Sequence, residues 1–259
     1  MIQRILINLP KKKYVEEIGK EIVLSKYEKY FIKNIDDDYH TKHCIIPKKE
    51  LKKDGALLKI DNYEFVIFKP DFIDQYKNLR RIAQIIMLKD IGFIIGETGL
   101  TRDSVVLDAG LGSGAMACYL AKIVKKVIGY EIQDDHLNMT KQNVKELGIN
   151  NITIKKGDIY NEKKIVEKNI DVFTLDVPEP WRAVKTAEKV LKVGGYLVSY
   201  SPNLNQVQKF IAALPKKLIR EKTVEIIERE WLIDELRLRP KTKEVGHTGF
   251  MTFARKIIK

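Results

Sequence analysis

The chain has 259 residues, 44% of them hydrophobic and 32% charged, with 47 Lys and Arg against 35 Asp and Glu. That composition supports a sizeable core and excludes wholesale disorder, and no apolar run approaches the roughly 18 residues of a membrane helix. The formal charge of +12 is uneven: residues 1–80 and 204–259 together hold +10 of it, which suits either a polyanionic partner at the flanks or a solvated lysine-rich surface.

Taken in order, residues 1–70 read as short strands separated by polar turns: IQRILINL, a mixed stretch to Ile46, then LLKI and YEFVIF around Asp61-Asn62, closed by Pro70. This is expected to be a small β-rich N-terminal domain, 1–72. The N-terminal MIQRILINLPKKK places its lysines after apolar residues, the wrong order for a secretory leader, so a cytoplasmic protein is expected. Cys44 and Cys118 lack CxxC or Cys/His company, which predicts buried free thiols and no metal site. Apolar positions from Ile73 to Ile86 recur at helical spacing, Lys89-Asp90-Ile91-Gly92 begins a second short helical pattern, and together they predict a helical connector over 73–104.

From Val105 apolar runs alternate with amphipathic stretches, the pattern of a parallel sheet covered by helices on both faces. VVLDA, VIGY, ITIKK, DVFTLD and YLVSYS are expected strands; Met116–Lys122, His136–Leu147, Trp181–Leu191 and Val207–Leu214 are expected helices. Gly194-Gly195 is expected to turn the chain, and VEIIER with GFMTFAR to pair antiparallel at the sheet edge. The fold class is therefore α/β, Rossmann-like, over 105–259.

VVLDAGLGSG runs from a strand into a glycine-rich turn, where Gly110, Gly112 and Gly114 permit a tight bend and close approach of a ligand to the backbone. Gly110, Gly112 and Ala115 also satisfy the dinucleotide pattern, with Glu131 at the right distance to hold a ribose. Asp108 tips the balance, because a carboxylate before the first glycine crowds a pyrophosphate but suits a cationic sulfonium.

The segment resembles motif I of the class I S-adenosylmethionine-dependent methyltransferases, with Glu131 for the ribose, Gly157-Asp158 for the adenine, and Asp171–Asp176 as the fourth strand. LDVPEPW, residues 175–181, resembles the DxPxPW element of the TrmI family of tRNA (adenine-N1)-methyltransferases. RRIAQII before Lys89-Asp90, YEIQDDH at 130–136, and RPKTKEVGHTGFMTFARK from Arg239 agree with that family. Met87-Leu88 departs from it, since the family usually has an aromatic residue or histidine followed by proline.

The resemblance implies S-adenosylmethionine held by Gln84, Asp108, Gly110, Leu111, Gly112, Ser113, Gly114, Glu131, His136, Asp158 and Asp176. It implies Asp176 as the catalytic residue, tRNA as the partner, adenine 58 of the T-loop as the target, with adenine 57 as a second target left open, and a homotetramer. Asp176 at a strand end is placed to accept a hydrogen bond from the adenine amino group and to stabilise positive charge as N1 is alkylated. Trp181 is a candidate for stacking on the target, and Arg239, Lys241 and His247 for contacting RNA. Two other readings stay open: a small-molecule methyltransferase, since fold alone does not choose substrate, and a non-catalytic RNA-binding partner subunit.

Overall fold

Strand β1 (Arg4–Asn8) has Ile5, Leu6 and Asn8 all buried, so it is covered on both faces and must be an inner strand. The computed structural model, which describes residues 1–82, 84–234, 237–243 and 245–259, bears this out. It divides the chain into two units, Met1–Leu79 and Arg80–Lys259. In the first unit β1 lies between β4 (Glu28–Ile32) and β8 (Tyr63–Phe68), and β7 (Ala56–Ile60) pairs with β8, every pairing antiparallel. Between β1 and β4 the chain makes a separate hairpin, β2 (Lys11–Val15) with β3 (Lys20–Ser25). The short strands β5 (Tyr39–His40) and β6 (Ile45–Ile46) and helix α1 (Lys48–Leu51) close over the sheet. Leu6, Ile32, Ile46, Leu51, Leu58, Phe65 and Ile67 form the core. Cys118 is buried as expected, but Cys44 is half-exposed, and both are free.

The helical spacing from Ile73 to Ile86 does not run as a single helix, whereas the second pattern from Lys89 is a helix. Helix α2 (Phe72–Lys77) starts on a reciprocal cap between Asp71 and Asp74 and stops within two turns, and α3 (Leu88–Thr98) begins only after Met87. Between them Gln84, Ile85 and Ile86 lie in no regular secondary structure and line a cavity described below, so the periodicity there serves a wall.

The second unit contains a seven-stranded sheet in the order β11-β10-β9-β12-β13-β17-β14. Its strands are β9 (Val105–Ala109), β10 (Lys126–Glu131), β11 (Ile152–Lys156), β12 (Ile170–Leu175), β13 (Leu191–Ser201), β14 (Leu218–Val224) and β17 (Phe250–Lys256). The first five are parallel, and β17 enters antiparallel to both β13 and β14. Helices α4 (Ala115–Ala121), α5 (Asp134–Glu146), α6 (Val184–Val190) and α7 (Leu204–Ala213) belong to this unit, and β15 (Trp231–Ile233) pairs with β16 (Leu238–Pro240) as a separate hairpin. Leu107, Phe173 and Leu197 of adjacent strands pack with Ala187 and Phe210 from α6 and α7 in one core.

Three sequence expectations shift. The edge strand is β14 rather than VEIIER; its Arg220, Glu221 and Lys222 hide it from an apolar-run search, but such charges suit an exposed sheet edge. Gly194 and Gly195 lie inside β13 at a register shift, where a Cβ on Gly195 would come within 2.9 Å of the Ile170 carbonyl oxygen. Pro180 opens a 3-10 turn over Pro180–Ala183, so the α-helix after Trp181 is delayed to Val184. Ala83 of the RRIAQII segment and Glu244 of the C-terminal motif lie outside the described residues.

The glycine turn after β9 is the tightest approach in the unit. Gly110 has φ +87°, and a Cβ there would sit 1.9 Å from the Asp176 carbonyl oxygen. Gly112 has φ +55°, but its Cβ direction is open. Gly110→Ala is therefore expected to destabilise the protein by about 3 kcal/mol or more through forced separation of β9 from β12, against about 1–2 kcal/mol for the conformational strain of Gly112→Ala. Urea denaturation of the two variants checks this, and equal losses would show that the turn relaxes freely.

Candidate active site

Parallel strands end together, and three of these strands end in acids. Asp108 is the fourth residue of β9, Glu131 is the last of β10, and Asp176 follows β12. Asp108 is 2% exposed and its Oδ1 accepts from Thr174 Oγ1 at 2.7 Å. Thr174 is its ladder partner on β12. The Glu131 carboxylate, 6% exposed, accepts from the backbone N–H groups of Gly112 (3.0 Å), Ile132 (2.8 Å) and Gln133 (3.0 Å). It thus fixes the glycine turn to the end of β10.

Asp108 and Asp176 line one cavity with Gln84, Ile85, Ile86, Met116 and the turn residues Gly110, Leu111, Gly112 and Ser113. Asn143 of α5 braces this wall, donating to the Arg80 carbonyl at 3.0 Å and the Ser113 carbonyl at 2.8 Å. Gly114 initiates α4 at φ +74°, where a Cβ would strike Thr140 at 2.6 Å.

The electrostatics are one-sided. Burial pushes the Asp108 carboxyl up to about 7, only partly offset by the Thr174 hydrogen bond, and the charges of Asp176 and Glu131 push it further. Burial, then Glu131, raises Asp176 to about 6. Among the described residues neither acid has a cationic partner, so the pocket is complementary to positive charge.

Most of the residues named from sequence converge here: Gln84, Asp108, Gly110, Leu111, Gly112, Ser113 and Asp176 on the cavity, Glu131 and Gly114 on its frame. His136 Nδ1 stands 3.7 Å from Glu131 Oε2. Asp158 follows β11 beside Glu131, bonded to the Tyr160 N–H at 2.9 Å, but lines a separate cavity of about 420 Å³ with Tyr130 and Gly157. Four residues lie elsewhere. Trp181 is half-buried, with Lys209 Nζ 5.0 Å from its ring centre. Arg239 is exposed on β16, and Lys241 just beyond pairs with Glu230 at 2.5 Å. His247 sits between Glu225 Oε1 (2.5 Å) and the Pro202 carbonyl (2.8 Å). Both neighbours accept, so both ring nitrogens donate only as imidazolium, and its pKa is raised by Glu225 and then Pro202.

Sequence reading missed Thr174, although its period-2 spacing from Asp176 places both on one face of a strand. It also gave no role to Asp90, which is fully buried. Asp90 accepts from Lys89 Nζ (2.7 Å), Thr248 Oγ1 (2.9 Å) and the Tyr200 hydroxyl (3.3 Å), while Lys89 also donates to the Ile226 carbonyl at 2.7 Å. This knot ties α3 to β13 and the turn before β17.

A sheet with one antiparallel strand inserted near its edge, and an acid-tipped first strand running into a glycine turn, define a class I methyltransferase. The chain belongs to the tRNA methyltransferase complex GCD14 subunit family, whose model matches residues 70–238. It is 32% identical, over 91% of its length and 94% of the relative's, to the tRNA (adenine(57)-N(1)/adenine(58)-N(1))-methyltransferase TrmI of Methanocaldococcus jannaschii. Among solved structures, a SAM-dependent O-methyltransferase from Thermotoga maritima superposes with a TM-score of 0.80 at 30% identity, covering 99% of this chain and 94% of that one. The tRNA (m1A58) methyltransferase TrmI from Aquifex aeolicus gives 0.75 at 24% identity, covering 99% and 98%, and shares the fold.

Family and fold imply S-adenosylmethionine as methyl donor. The pocket fits it: among the described residues Asp108 and Asp176 lack a cation and Ser113 Oγ is buried without a partner, and the Cβ direction of Gly112 is open to close approach. Because Asp108 and Asp176 must be ionised to meet a sulfonium, affinity for S-adenosylmethionine is expected to rise with pH and level off above about 7. Below that it falls by up to about tenfold per pH unit for each acid involved. S-adenosylhomocysteine, whose sulfur is uncharged, should show a shallower slope. For the free protein the sign reverses: a carboxyl raised from 3.8 keeps a proton that the unfolded chain has lost, so Asp108 makes stability fall from about pH 4 to 7. Calorimetric titrations at several pH values check the first point, and identical slopes for the two ligands would show that the acids do not sense the sulfonium.

Proposed function

We propose that this protein is an enzyme that transfers a methyl group from S-adenosylmethionine to N1 of adenine 58, and of adenine 57, in the T-loop of tRNA. The supporting observation is the position of Asp176: within the DxPxPW element, at the end of β12, and on the same cavity wall as Asp108. The activities of the TrmI relatives agree with this reading, and the chain's cofactor motifs are intact, which argues against a non-catalytic subunit.

Bound in the cavity, S-adenosylmethionine supplies an electrophilic methyl group on a cationic sulfur. Asp108 neutralises the cationic methionine portion, with the Ser113 hydroxyl offering a further hydrogen bond to its polar end, and Glu131 holds the ribose hydroxyls while keeping the glycine turn in place. Asp158, at the end of β11, accepts from the adenine amino group of the cofactor. Asp176 accepts from the exocyclic amino group of the target base, which turns N1 toward the pocket. As N1 gains the methyl group the base becomes cationic, and the carboxylate beside it stabilises that charge. N1 is normally engaged in pairing, so the base must leave its stack first, and the basic flanks of the chain hold the tRNA meanwhile. Arg239 and Lys241 are assigned to phosphate contact; an RNA phosphate displacing Glu230 from Lys241 exchanges one exposed ion pair for another at little cost. His247 serves the RNA side indirectly, by fixing the turn before β17. By the same family likeness the protein acts as a homotetramer in the cytoplasm.

A second reading, methylation of a small-molecule hydroxyl, has one observation in its favour, the description of the Thermotoga relative as an O-methyltransferase. Mass mapping of nucleosides from a tRNA transcript incubated with the protein and the methyl donor separates the two. Methyl on adenine N1 is expected, and an unmodified transcript with turnover of a small hydroxyl acceptor would favour the second. Asp176→Asn, measured at saturation with both ligands, is expected to slow transfer about a hundredfold or more, corresponding to about 3 kcal/mol at the transition state, with tRNA affinity nearly unchanged. Transfer at the parental rate would make Asp176 structural.

A further inference from the structure

The crossover from β11 to β12, residues 157–169, contains no helix, although parallel strands are usually joined through one. In its place lies a polar knot away from the acid pocket. Glu167 is 8% exposed. Its Oε2 accepts from the Tyr130 hydroxyl at 2.8 Å and from the Val166 N–H at 3.1 Å, and its Oε1 pairs with Lys155. Burial would raise the Glu167 carboxyl, but Lys155 and then Tyr130 bring it below its ordinary value. Helix α6 holds the same crossover from the other side: Thr186 Oγ1 donates to the Ile159 carbonyl at 2.7 Å, and Lys189 Nζ to the Glu162 (2.7 Å) and Ile165 (2.6 Å) carbonyls.

The two side chains that Glu167 grips are ladder partners, Tyr130 on β10 and Lys155 on β11. Each precedes a residue assigned to the cofactor under the proposed function: Tyr130 is followed by Glu131, and Lys155 by Lys156, Gly157 and Asp158. The Tyr130 ring also forms the floor under Gly157, where a Cβ would approach it to 3.1 Å. A buried charge with three donors costs heavily unless each donor is in place, so the knot has one low-energy arrangement and transmits it to the loop above.

We propose that Glu167 is a positioning residue for base recognition: through Tyr130 and Lys155 it sets the loop bearing Gly157 and Asp158, and so sets the protein's discrimination for adenine in the cofactor. This rests on the assignment of Asp158 to the adenine amino group. Adenine offers that amino group to a carboxylate, whereas hypoxanthine presents an oxygen and is repelled, so the ratio of affinities for S-adenosylhomocysteine and S-inosylhomocysteine reads the loop's position.

The test titrates both ligands into the full chain and into Glu167→Gln, Tyr130→Phe and Asp158→Asn, with melting temperatures alongside. Glu167→Gln is expected to weaken S-adenosylhomocysteine about tenfold and S-inosylhomocysteine far less, narrowing the ratio. Tyr130→Phe, which deletes one hydroxyl and keeps the ring, should narrow it in the same direction by less, and serves if the Gln variant does not fold. A general loss of packing weakens both ligands equally. So if Asp158→Asn narrows the ratio while the Glu167 and Tyr130 variants leave it parental, the inference is wrong and the Asp158 assignment stands. If the Glu167 and Tyr130 variants narrow it while Asp158→Asn does not, the positioning role holds and the base contact belongs to another group of the loop. If no variant changes the ratio, both fall.

Discussion

Everything in the larger unit serves to hold like charges together. Three carboxyl groups stand at the carboxyl edge of adjacent parallel strands, two of them with pKa values raised to about 7 and 6 by burial and mutual repulsion. Left to themselves such groups would separate or attract counterions. The ladder between β9 and β12, the Thr174 hydroxyl, and the three backbone N–H groups on Glu131 prevent the first. A cation entering the pocket would offset the cost of that enforced proximity, so charge complementarity is built in by the fold.

The frame around the acids is correspondingly stiff. Gly110 lets the turn pass within carbonyl contact of Asp176, so the glycine turn after β9 and the end of β12 that carries Asp176 cannot move independently. Asn143 ties the Arg80 segment to the same turn. The knot at Asp90 fixes Tyr200, whose hydroxyl is raised to about 12 by burial first, partly offset by its hydrogen bond with Thr248, with the charges of Asp90 and Asp176 adding to the rise. Distances between reacting groups are thus set by backbone crossings and buried hydrogen bonds rather than by long side chains on the surface.

The parallel sheet was legible because its strands are apolar on both faces and carry their acids at the ends: VVLDA, VIGYE and DVFTLD announce both the strand and the site. What escaped was polar or irregular. β14 is a charged edge strand with no apolar run, and β2 and β3 form an exposed hairpin whose Tyr14, Ile22 and Leu24 are solvent-facing, so burial left no pattern to read. Gln84 to Ile86 continue the helical spacing yet form no helix, since Ile85 and Ile86 line a cavity and not a helix interface. Thr174 and Glu167 escaped for another reason: each matters through a partner far off in the chain, 66 residues for Asp108 and 37 for Tyr130, and although period 2 puts Thr174 on the face of Asp176, no local pattern names those partners.

The placement of β17 has a consequence for how the chain is assembled. Residues 250–256 lie between β13 and β14, strands made earlier, so until they are synthesised β13 has an unpaired edge and β14 has no neighbour in the sheet. The preceding turn brings Thr248 to Asp90 across 158 residues, so that acid too waits for the last of its three donors. A nascent chain on the ribosome therefore carries a nearly complete cofactor pocket beside an open sheet edge, and stability arrives in one late step. Such a topology folds slowly for its size, because long-range closure precedes its reward. Its vulnerable species is the almost finished protein, in which the open edge of β13 is free to pair with the same edge on another nascent copy.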